Sequence, residues 1–355
     1  MLEPLIDLYG EGLLLLAAGG LVGLVFGAAA YHSRFCLRAA TAEVAEGRLG
    51  PKLAIWLVAF TAALASVQLA IFLGLLDVSA ARQLSATGSM SGAILGGLMF
   101  GVGMILARGC ASRLLVLSAS GNLRAIVTGL VLTLTAQASL SGVLSPLREK
   151  IAALWTVPGG TARALVLPEG DFFLWIVAAC ILAFLVSVAF GIRQKLRPSE
   201  VAAAAVVGLA IFAGWALTYA IASQSFEVIA VQSVTFTGPS TDTLMTLVNE
   251  PNAPLSFGLG LVPGVFIGAM LSAIWKGEAR IQRFEPDTPM ERYLAGGLLM
   301  GFGSMLAGGC AVGAGMSGGS IFALTAWVAV FCMWIGAMAS QVALTSGAFR
   351  HRAAS

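Results

Sequence analysis

The chain has 355 residues, of which 58% are hydrophobic and only 10% are charged, and its net charge is +3. Soluble domains carry roughly 25% charged residues, so this composition excludes an ordinary soluble protein and indicates that the bilayer is its solvent. The small net charge gives no reason to expect a nucleic-acid partner. The first residues include Glu3, Asp7 and Glu11 but no Lys or Arg, so we do not expect an N-terminal signal peptide.

Apolar stretches long enough to cross a bilayer recur along the chain. A spanning helix needs about 20 mostly apolar residues. The sequence predicts nine spans, at 12–31, 52–76, 91–108, 122–144, 171–192, 201–222, 255–276, 291–307 and 321–346. Two stretches rich in Gly, Ser and Ala, 109–121 and 308–320, are too short to cross. The predicted fold class is an all-α polytopic membrane protein, with one transporter domain over residues 1–355.

Basic residues are distributed unevenly over the segments that join the spans. If the N-terminus lies outside, 16 of the 20 Lys and Arg residues face the cytoplasm, including Arg350 and Arg352. The four that face outwards are Arg82, Arg148, Lys150 and Arg163. Positive residues are enriched on the cytoplasmic side of membrane proteins. The prediction is therefore a multi-pass protein of the bacterial inner membrane, with a periplasmic N-terminus and a cytoplasmic C-terminus.

A 16-residue motif occurs twice, 200 residues apart. Residues 96–111 read GGLMFGVGMILARGCA and residues 296–311 read GGLLMGFGSMLAGGCA, with ten identical positions. The copies fall on the third and eighth spans, which cross the membrane in opposite directions. This pattern predicts inverted pseudo-two-fold repeats at about 12–144 and 201–346, joined by a connector at 145–200. Such repeats are typical of transporters, whose substrate sites lie where the halves meet.

Both copies end in a Gly-Cys-Ala turn, at Gly109-Cys110-Ala111 and Gly309-Cys310-Ala311. A short stretch follows each turn, and we predict two short re-entrant helices there, with each cysteine at the turn. Non-helical backbone at membrane depth occurs only where it is buried in protein or lines a watery cavity. A helix N-terminus would present free N–H groups and partial positive charge to an anion. The alternative is a pair of surface loops with buried cysteines.

The two remaining cysteines are predicted to be packing residues inside the helix bundle. Cys180 and Cys332 lie in the middle of predicted spans and do not follow a glycine turn, and a free buried cysteine is an ordinary core residue. The five cysteines show neither a disulfide framework nor a CxxC motif, so no metal or other cofactor is predicted. Methionines near the turns, such as Met104 and Met305, leave a soft-metal transporter of the Cu(I) type as an alternative.

Three short elements together resemble the YeeE/YedE family of sulfur-compound importers. They are Arg108-Gly109-Cys110-Ala111, Gly308-Gly309-Cys310-Ala311 and Ser33-Arg34-Phe35-Cys36. The resemblance implies import of thiosulfate or a related sulfur anion, with some members associated with selenium metabolism. It also implies that Cys36, Cys110 and Cys310 line the pathway, and that a small cytoplasmic TusA-like sulfur-carrier protein is a partner. Arg108, where the second copy has Gly308, departs from the repeat and could alter substrate preference.

The implied chemistry explains why thiols would line such a pathway. A dianion cannot cross hydrocarbon unaided, so hydrogen-bond donors must replace its hydration while binding it weakly enough to release it. A neutral S–H is a weak donor, which suits brief non-covalent contact with a soft sulfur. We predict a transporter and not an enzyme. A membrane sulfurtransferase that forms a persulfide on Cys110 or Cys310 is the alternative. Cys36 has no counterpart in the second repeat and is predicted to be an accessory site.

Overall fold

The computed structural model is helical and describes residues 3–168, 170–225, 227–248, 254–284 and 289–346. Within these residues, nine segments are long and apolar enough to cross a membrane, which confirms the predicted number of spans and the all-α polytopic class. Three of these segments are interrupted helices, namely Glu11–Ala45, Met90–Ala119 and Met290–Gly318. Arg350 and Arg352, which contribute to the predicted orientation, lie outside the described residues.

The helices are numbered in chain order. In the first half they are α1 (Glu3–Tyr9), α2 (Glu11–Ser33), α3 (Leu37–Ala45), α4 (Pro51–Phe72), α5 (Arg82–Ser85), α6 (Met90–Leu106), α7 (Ala111–Ala119), α8 (Leu123–Leu140) and α9 (Ser145–Ala152). In the second half they are α10 (Asp171–Arg193), α11 (Pro198–Ala222), α12 (Thr237–Val248), α13 (Phe257–Trp275), α14 (Met290–Ala307) and α15 (Leu324–Thr345). A 3₁₀ turn covers Gly160–Arg163, and a π-helix covers Ala311–Gly318.

The first part of the connector, before α10, folds back onto one end of the helix bundle. Its strand β2 (Thr156–Val157) pairs antiparallel with β1 (Gly88–Ser89), which precedes α6. Arg163 holds it there, because its guanidinium donates to the carbonyls of Arg82 and Ala86 and to the hydroxyl of Thr325. The connector therefore covers the end of the bundle at which α6 begins.

The two helices that carry the repeated motif cross each other through glycines. A methyl group added at Gly96 would lie 2.5 Å from the Gly303 carbonyl oxygen, and one at Gly103 would lie 2.7 Å from that of Gly296. The contact is reciprocal, since methyl groups at Gly296 and Gly303 would meet the carbonyls of Gly103 and Gly96. Low residue numbers of α6 thus face high numbers of α14, so the two helices run antiparallel. This contact supports the predicted inverted repeats.

The second glycine of each copy contacts a different neighbour. Gly97 packs against Ala329 of α15, whereas Gly297 packs against Thr128 of α8. The inverted-repeat interpretation pairs α6 with α14 and α8 with α15, so the two contacts are equivalent under that pairing. Small residues allow backbones to approach this closely, which stabilises helix association in a membrane.

Replacing Gly96 with alanine is expected to destabilise the fold. The new methyl group would meet backbone atoms that cannot rotate away, and overpacking of this kind costs about 1–3 kcal/mol. Gly129 on α8 is a matched control, because a methyl group there has no neighbour within 4 Å. Thermal unfolding of the purified protein should show a lower midpoint for Gly96→Ala and no loss for Gly129→Ala. Equal losses in both variants would contradict the close crossing.

Two parts of the structure were not predicted. The first is α3, which follows α2 after a break at residues 34–36, whereas the predicted first span ends at residue 31. The second is segment 230–236, which is mostly buried, has no regular secondary structure and leads into α12 in a region interpreted only as an outer connection. Both lie beside cysteines of the sequence motifs, since α3 follows Cys36 and segment 230–236 lies against the π-helix that follows Cys310.

Candidate functional site

The three cysteines of the sequence motifs occupy turns with the same backbone conformation. In each turn a long helix ends at a residue in the left-handed region, and the cysteine follows two residues later. The left-handed residues are Arg34 (φ 55°), Arg108 (φ 54°) and Gly308 (φ 81°). Glycine adopts this conformation without strain, whereas a residue with a Cβ does so at some cost. Arg108 and Gly308 therefore differ in residue type but occupy the same position in turns of the same geometry.

Identical hydrogen bonds close the three turns. In each, the amide just before the cysteine donates to the carbonyl five residues earlier. The pairs are Phe35 N to Ala30 O (3.1 Å), Gly109 N to Met104 O (3.0 Å) and Gly309 N to Ser304 O (2.8 Å). This bond belongs to the Schellman motif, which satisfies carbonyl groups at the end of a helix. The Cys36 turn was recognised in sequence only as a short motif, because the residues around it do not repeat.

Each cysteine is also the N-cap of a short helix. Cys36 precedes α3, Cys110 precedes α7, and Cys310 precedes the π-helix. Short helices thus occupy both predicted stretches, 109–121 and 308–320, and the structure adds one at 37–45. A π-helix is rare and is found often at functional sites. Every one of these thiols therefore lies where a helix N-terminus presents N–H groups and partial positive charge.

The sulfur of each cysteine faces the amide three residues further on. At Cys310 the Gly313 N–H donates to the sulfur at 3.4 Å. The sulfurs of Cys36 and Cys110 are near the corresponding amides, those of Ala39 and Arg113, but do not form a capping hydrogen bond with them. The Cys110 sulfur also lies 3.3 Å from the Ser112 hydroxyl.

Cys36 lies beside Cys110. The two thiols are close enough to influence each other electrostatically, and both side chains are buried. The first and third spans therefore bring two thiols to one place, which the lack of a repeat counterpart for Cys36 did not indicate. Cys310 lies apart from this pair of thiols. It follows the end of α14 at which Leu306 packs on Gly92, near the beginning of α6.

A cavity of about 400 Å³ opens on the face of the bundle where α6 begins. Gly308 and Gly309, the residues just before Cys310, form part of its wall. Arg82, Arg148 and Asp242 also line it, so the formal charge of its lining is +1. We call this the outer cavity, and it provides an open, positively charged approach to the Cys310 turn.

The mostly buried segment 230–236 forms one side of the outer cavity. Its carbonyls accept hydrogen bonds from side chains, since Ser317 donates to Val234 at 2.6 Å and Thr218 donates to Gln232 at 2.6 Å. Within the described residues, the amides of Ser233, Val234 and Thr235 have no hydrogen-bond acceptor. The Thr235 hydroxyl lies against Gly313, inside the π-helix that Cys310 caps. This segment thus brings N–H groups and a hydroxyl to the Cys310 turn.

A second cavity, of about 460 Å³, opens on the opposite face of the bundle. We call this the inner cavity. Its lining residues are Tyr31, Arg34, Arg113, Leu117, Ser120, Gly277, Glu278, Arg280 and Gln282. Arg34 belongs to the Cys36 turn, and Arg113 lies on the helix that Cys110 caps. The two cavities therefore approach the three cysteines from opposite faces.

Comparison with known proteins places this arrangement in a family. The sulphur transport family matches residues 32–339, a range that includes all three cysteine turns. The chain belongs to the sulphur transport (YeeE/YedE) family. The resemblance seen in the sequence motifs is thus confirmed over most of the chain.

Two curated relatives of this family member are similar over long stretches. A thiosulfate transporter named TsuA from Spirochaeta thermophila is 30% identical over 337 residues, covering 90% of this chain and 96% of the relative. A thiosulfate transporter of the same name from Escherichia coli is 25% identical over 261 residues, covering 69% of this chain and 72% of the relative. The chain is therefore similar to the first transporter along nearly its whole length and to the second over about two thirds of it.

The other predicted site residues of this family member lie next to Cys110 and Cys310, and they differ in how tightly they are enclosed. Ala111 and Ala311 are the first helical residues after Cys110 and Cys310, and both are buried. Gly309 is tightly enclosed, since a methyl group there would lie 2.8 Å from the Ala314 amide, whereas one at Gly109 would make only ordinary contacts. The Arg108 side chain is exposed. The Cys110 turn therefore tolerates a larger neighbour than the Cys310 turn does.

Cys180 and Cys332 are buried on α10 and α15, away from the turns of this family member. The Cβ atom of Cys332 packs at the close contact between α15 and Gly97. In the described part of the chain, no three His, Cys, Asp or Glu side chains converge as they would around a metal ion.

Proposed function

We propose that this protein imports thiosulfate or a closely related sulfur-containing anion across the cytoplasmic membrane. The observation that carries the proposal is the placement of two cavities on opposite faces of the bundle, each next to a cysteine that caps a short helix. Two relatives that cover most of the chain are named thiosulfate transporters, which supports the choice of substrate.

The anion enters the outer cavity, where Arg82 and Arg148 attract it. It then meets the free amides of segment 230–236 and the Cys310 thiol, passes the crossing of α6 and α14, and reaches the Cys110 and Cys36 thiols. At each thiol a weak S–H contact and the partial positive charge of a helix N-terminus replace part of its hydration. Weak contacts at several sites allow the anion to move on, as conduction requires.

The protein acts as a transporter and not as an enzyme, and its thiols form no covalent intermediate. In a sulfurtransferase the thiolate of Cys110 or Cys310 would attack the outer sulfur of thiosulfate, forming a persulfide and releasing sulfite as the S–S bond breaks. Mass spectrometry of the purified protein would detect the added sulfur. A TusA-like carrier in the cytoplasm receives the imported sulfur compound from the inner face, where the arginines of the inner cavity attract an acidic partner.

The proposed orientation puts the N-terminus in the periplasm and the C-terminus in the cytoplasm, because most basic residues then face inwards. Reporter fusions at residue 240 should therefore give a periplasmic signal. Fusions at residues 195 and 355 should give a cytoplasmic signal. A cytoplasmic signal at residue 240 would contradict this orientation and would exchange the outer and inner cavities.

Uptake of labelled thiosulfate tests the proposed function. The protein is expressed in cells that lack their own route for this anion, with unlabelled sulfate and selenite as competitors. Saturable uptake that thiosulfate itself inhibits more strongly than sulfate is the expected result. Stronger inhibition by selenite would favour a selenium compound as the substrate, and uptake that depends on added copper would favour the soft-metal alternative.

A further inference from the structure

The inner cavity contains more positive charge than the chain itself neutralises. Its lining includes the three arginines Arg34, Arg113 and Arg280 but only one acidic residue, Glu278, so the formal charge of the lining is +2. Within the described residues, Glu278 forms an ion pair with Arg34, at 3.8 Å, and neither Arg113 nor Arg280 has a carboxylate partner. The charge that remains matches a small dianion.

Arg113 lies between the paired thiols and this cavity. It follows Cys110 by three residues on α7, and its guanidinium is near enough to act electrostatically on both Cys36 and Tyr31. Its Nη1 atom is buried and has no hydrogen-bond partner among the described residues. A buried guanidinium N–H without an acceptor is costly, and an anion in the cavity would supply the acceptor.

Glu278 lines the cavity and contacts the groups that an anion would use. Tyr31 donates a hydrogen bond to its Oε2 atom at 2.8 Å, and Arg34 approaches its Oε1 atom. The hydrogen bond from Tyr31, with the nearby positive charges of Arg34, Lys276 and Arg280, holds the pKa of Glu278 below its usual value. Its carboxylate is therefore negatively charged at neutral pH.

The contacts of Glu278 are weak enough to be replaced. The side chains of Arg34 and Glu278 are 71% and 47% exposed, and exposed ion pairs of this kind contribute little to stability. A dianion in the cavity would compete with this carboxylate for the same positive groups. Conversely, the carboxylate would repel a bound dianion and speed its departure.

We propose that the inner cavity is a binding site for the transported dianion, with Arg113 as its main ligand and Glu278 as a tethered carboxylate that competes with it and promotes release. The inference rests on the proposed function, because that function supplies the dianion. It adds a binding step on the cytoplasmic side of the paired thiols Cys36 and Cys110.

Equilibrium binding of labelled thiosulfate to the purified protein in phosphatidylcholine nanodiscs, at fixed ionic strength, tests this proposal. Arg113→Gln should weaken binding about tenfold, because it removes a charged donor from a buried position. Glu278→Gln should tighten binding severalfold and lower the maximal rate of uptake. Arg193→Gln is the matched control, since Arg193 is exposed at the end of α10 and does not line the cavity.

Equal binding by Arg113→Gln and Arg193→Gln would overturn the proposal, as would unchanged or weaker binding by Glu278→Gln. Glu278 lies after the end of α13, so this variant keeps the test valid even if Arg113→Gln fails to fold. A repeat with phosphatidylglycerol in the nanodiscs separates a lipid phosphate site from a site for a free anion. Loss of thiosulfate binding in that lipid would show that the headgroup is the ligand, which would also overturn the proposal.

The same measurements separate this inference from the proposed function. If cells expressing the protein take up no thiosulfate but binding still depends on Arg113, the anion site stands and the proposed function fails. If uptake is normal and binding does not depend on Arg113, the proposed function stands and the inner site fails.

Discussion

Cys110→Ala and Cys310→Ala are each expected to reduce thiosulfate uptake about tenfold or more, with normal amounts of protein in the membrane. Each change removes a donor that faces the passing anion. A missing hydrogen bond to a charged group costs about 1.5–3 kcal/mol, and a thiol lies at or below the low end of that range. A rise of about 1.4 kcal/mol in a barrier already slows passage tenfold. The measurement is the initial rate of uptake of labelled thiosulfate, normalised to the amount of protein.

Cys180→Ala and Cys332→Ala are the controls, because these cysteines are buried on α10 and α15 and cap no short helix. Both should keep near-normal uptake. Serine at Cys110 or Cys310 keeps a hydroxyl donor and removes only the soft sulfur. Normal uptake by the serine variants would show that any small polar group suffices, and normal uptake by both alanine variants would show that the cysteines are structural.

Cys36→Ala distinguishes a pathway residue from an accessory one. Because the Cys36 thiol interacts with that of Cys110, its loss should reduce uptake about as much as Cys110→Ala does. The double variant should then lose less than the sum of the single effects, since residues in contact are not independent. Near-normal uptake by Cys36→Ala would support the accessory role predicted from the sequence.

Thr235→Val should also reduce uptake about tenfold. Valine has nearly the shape of threonine but lacks the hydroxyl, which lines the outer cavity and lies against Gly313 beside Cys310. The change therefore removes a donor from the approach to the thiol while leaving the packing in place. Uptake at limiting and saturating thiosulfate separates weaker binding from slower passage.

Thr246→Val is the matched control for this change. Thr246 lies on α12, its hydroxyl donates to the Asp242 carbonyl, and it does not line the outer cavity. It should keep normal uptake. Equal behaviour of the two variants would show that the hydroxyl of Thr235 does not contact the anion, and segment 230–236 would then serve only to pack against the π-helix.

The spans and the repeat could be predicted because their signals are local. Hydropathy reports directly whether a segment can cross a bilayer. The glycines of the repeated motif indicated a helix contact, because close packing of two helices requires small residues at fixed spacing. Gly96 and Gly303 do meet at the crossing of α6 and α14. The Gly-Cys turns could be recognised because the motif repeats, and in the second turn Gly308 takes the left-handed position at which glycine is preferred after a helix.

The rest of the site depends on contacts that no local pattern encodes. Arg34 and Arg108 take the left-handed conformation that glycine favours, so the composition of their turns did not show that all three turns are alike. The contact between Cys36 and Cys110 joins residues on separate spans. Segment 230–236 looked like an outer connection, because side chains of distant helices, such as Ser317, satisfy the carbonyls that burial would otherwise leave unpaired.

Flux of labelled thiosulfate into liposomes that contain only the purified protein tests the central claim most directly. It removes every other transporter and enzyme, and it compares the unaltered protein with a Cys110→Ala, Cys310→Ala double variant reconstituted to the same amount. We expect saturable flux through the unaltered protein and at least a tenfold lower rate through the double variant. Absence of flux through the unaltered protein, or equal flux through both, would contradict the account.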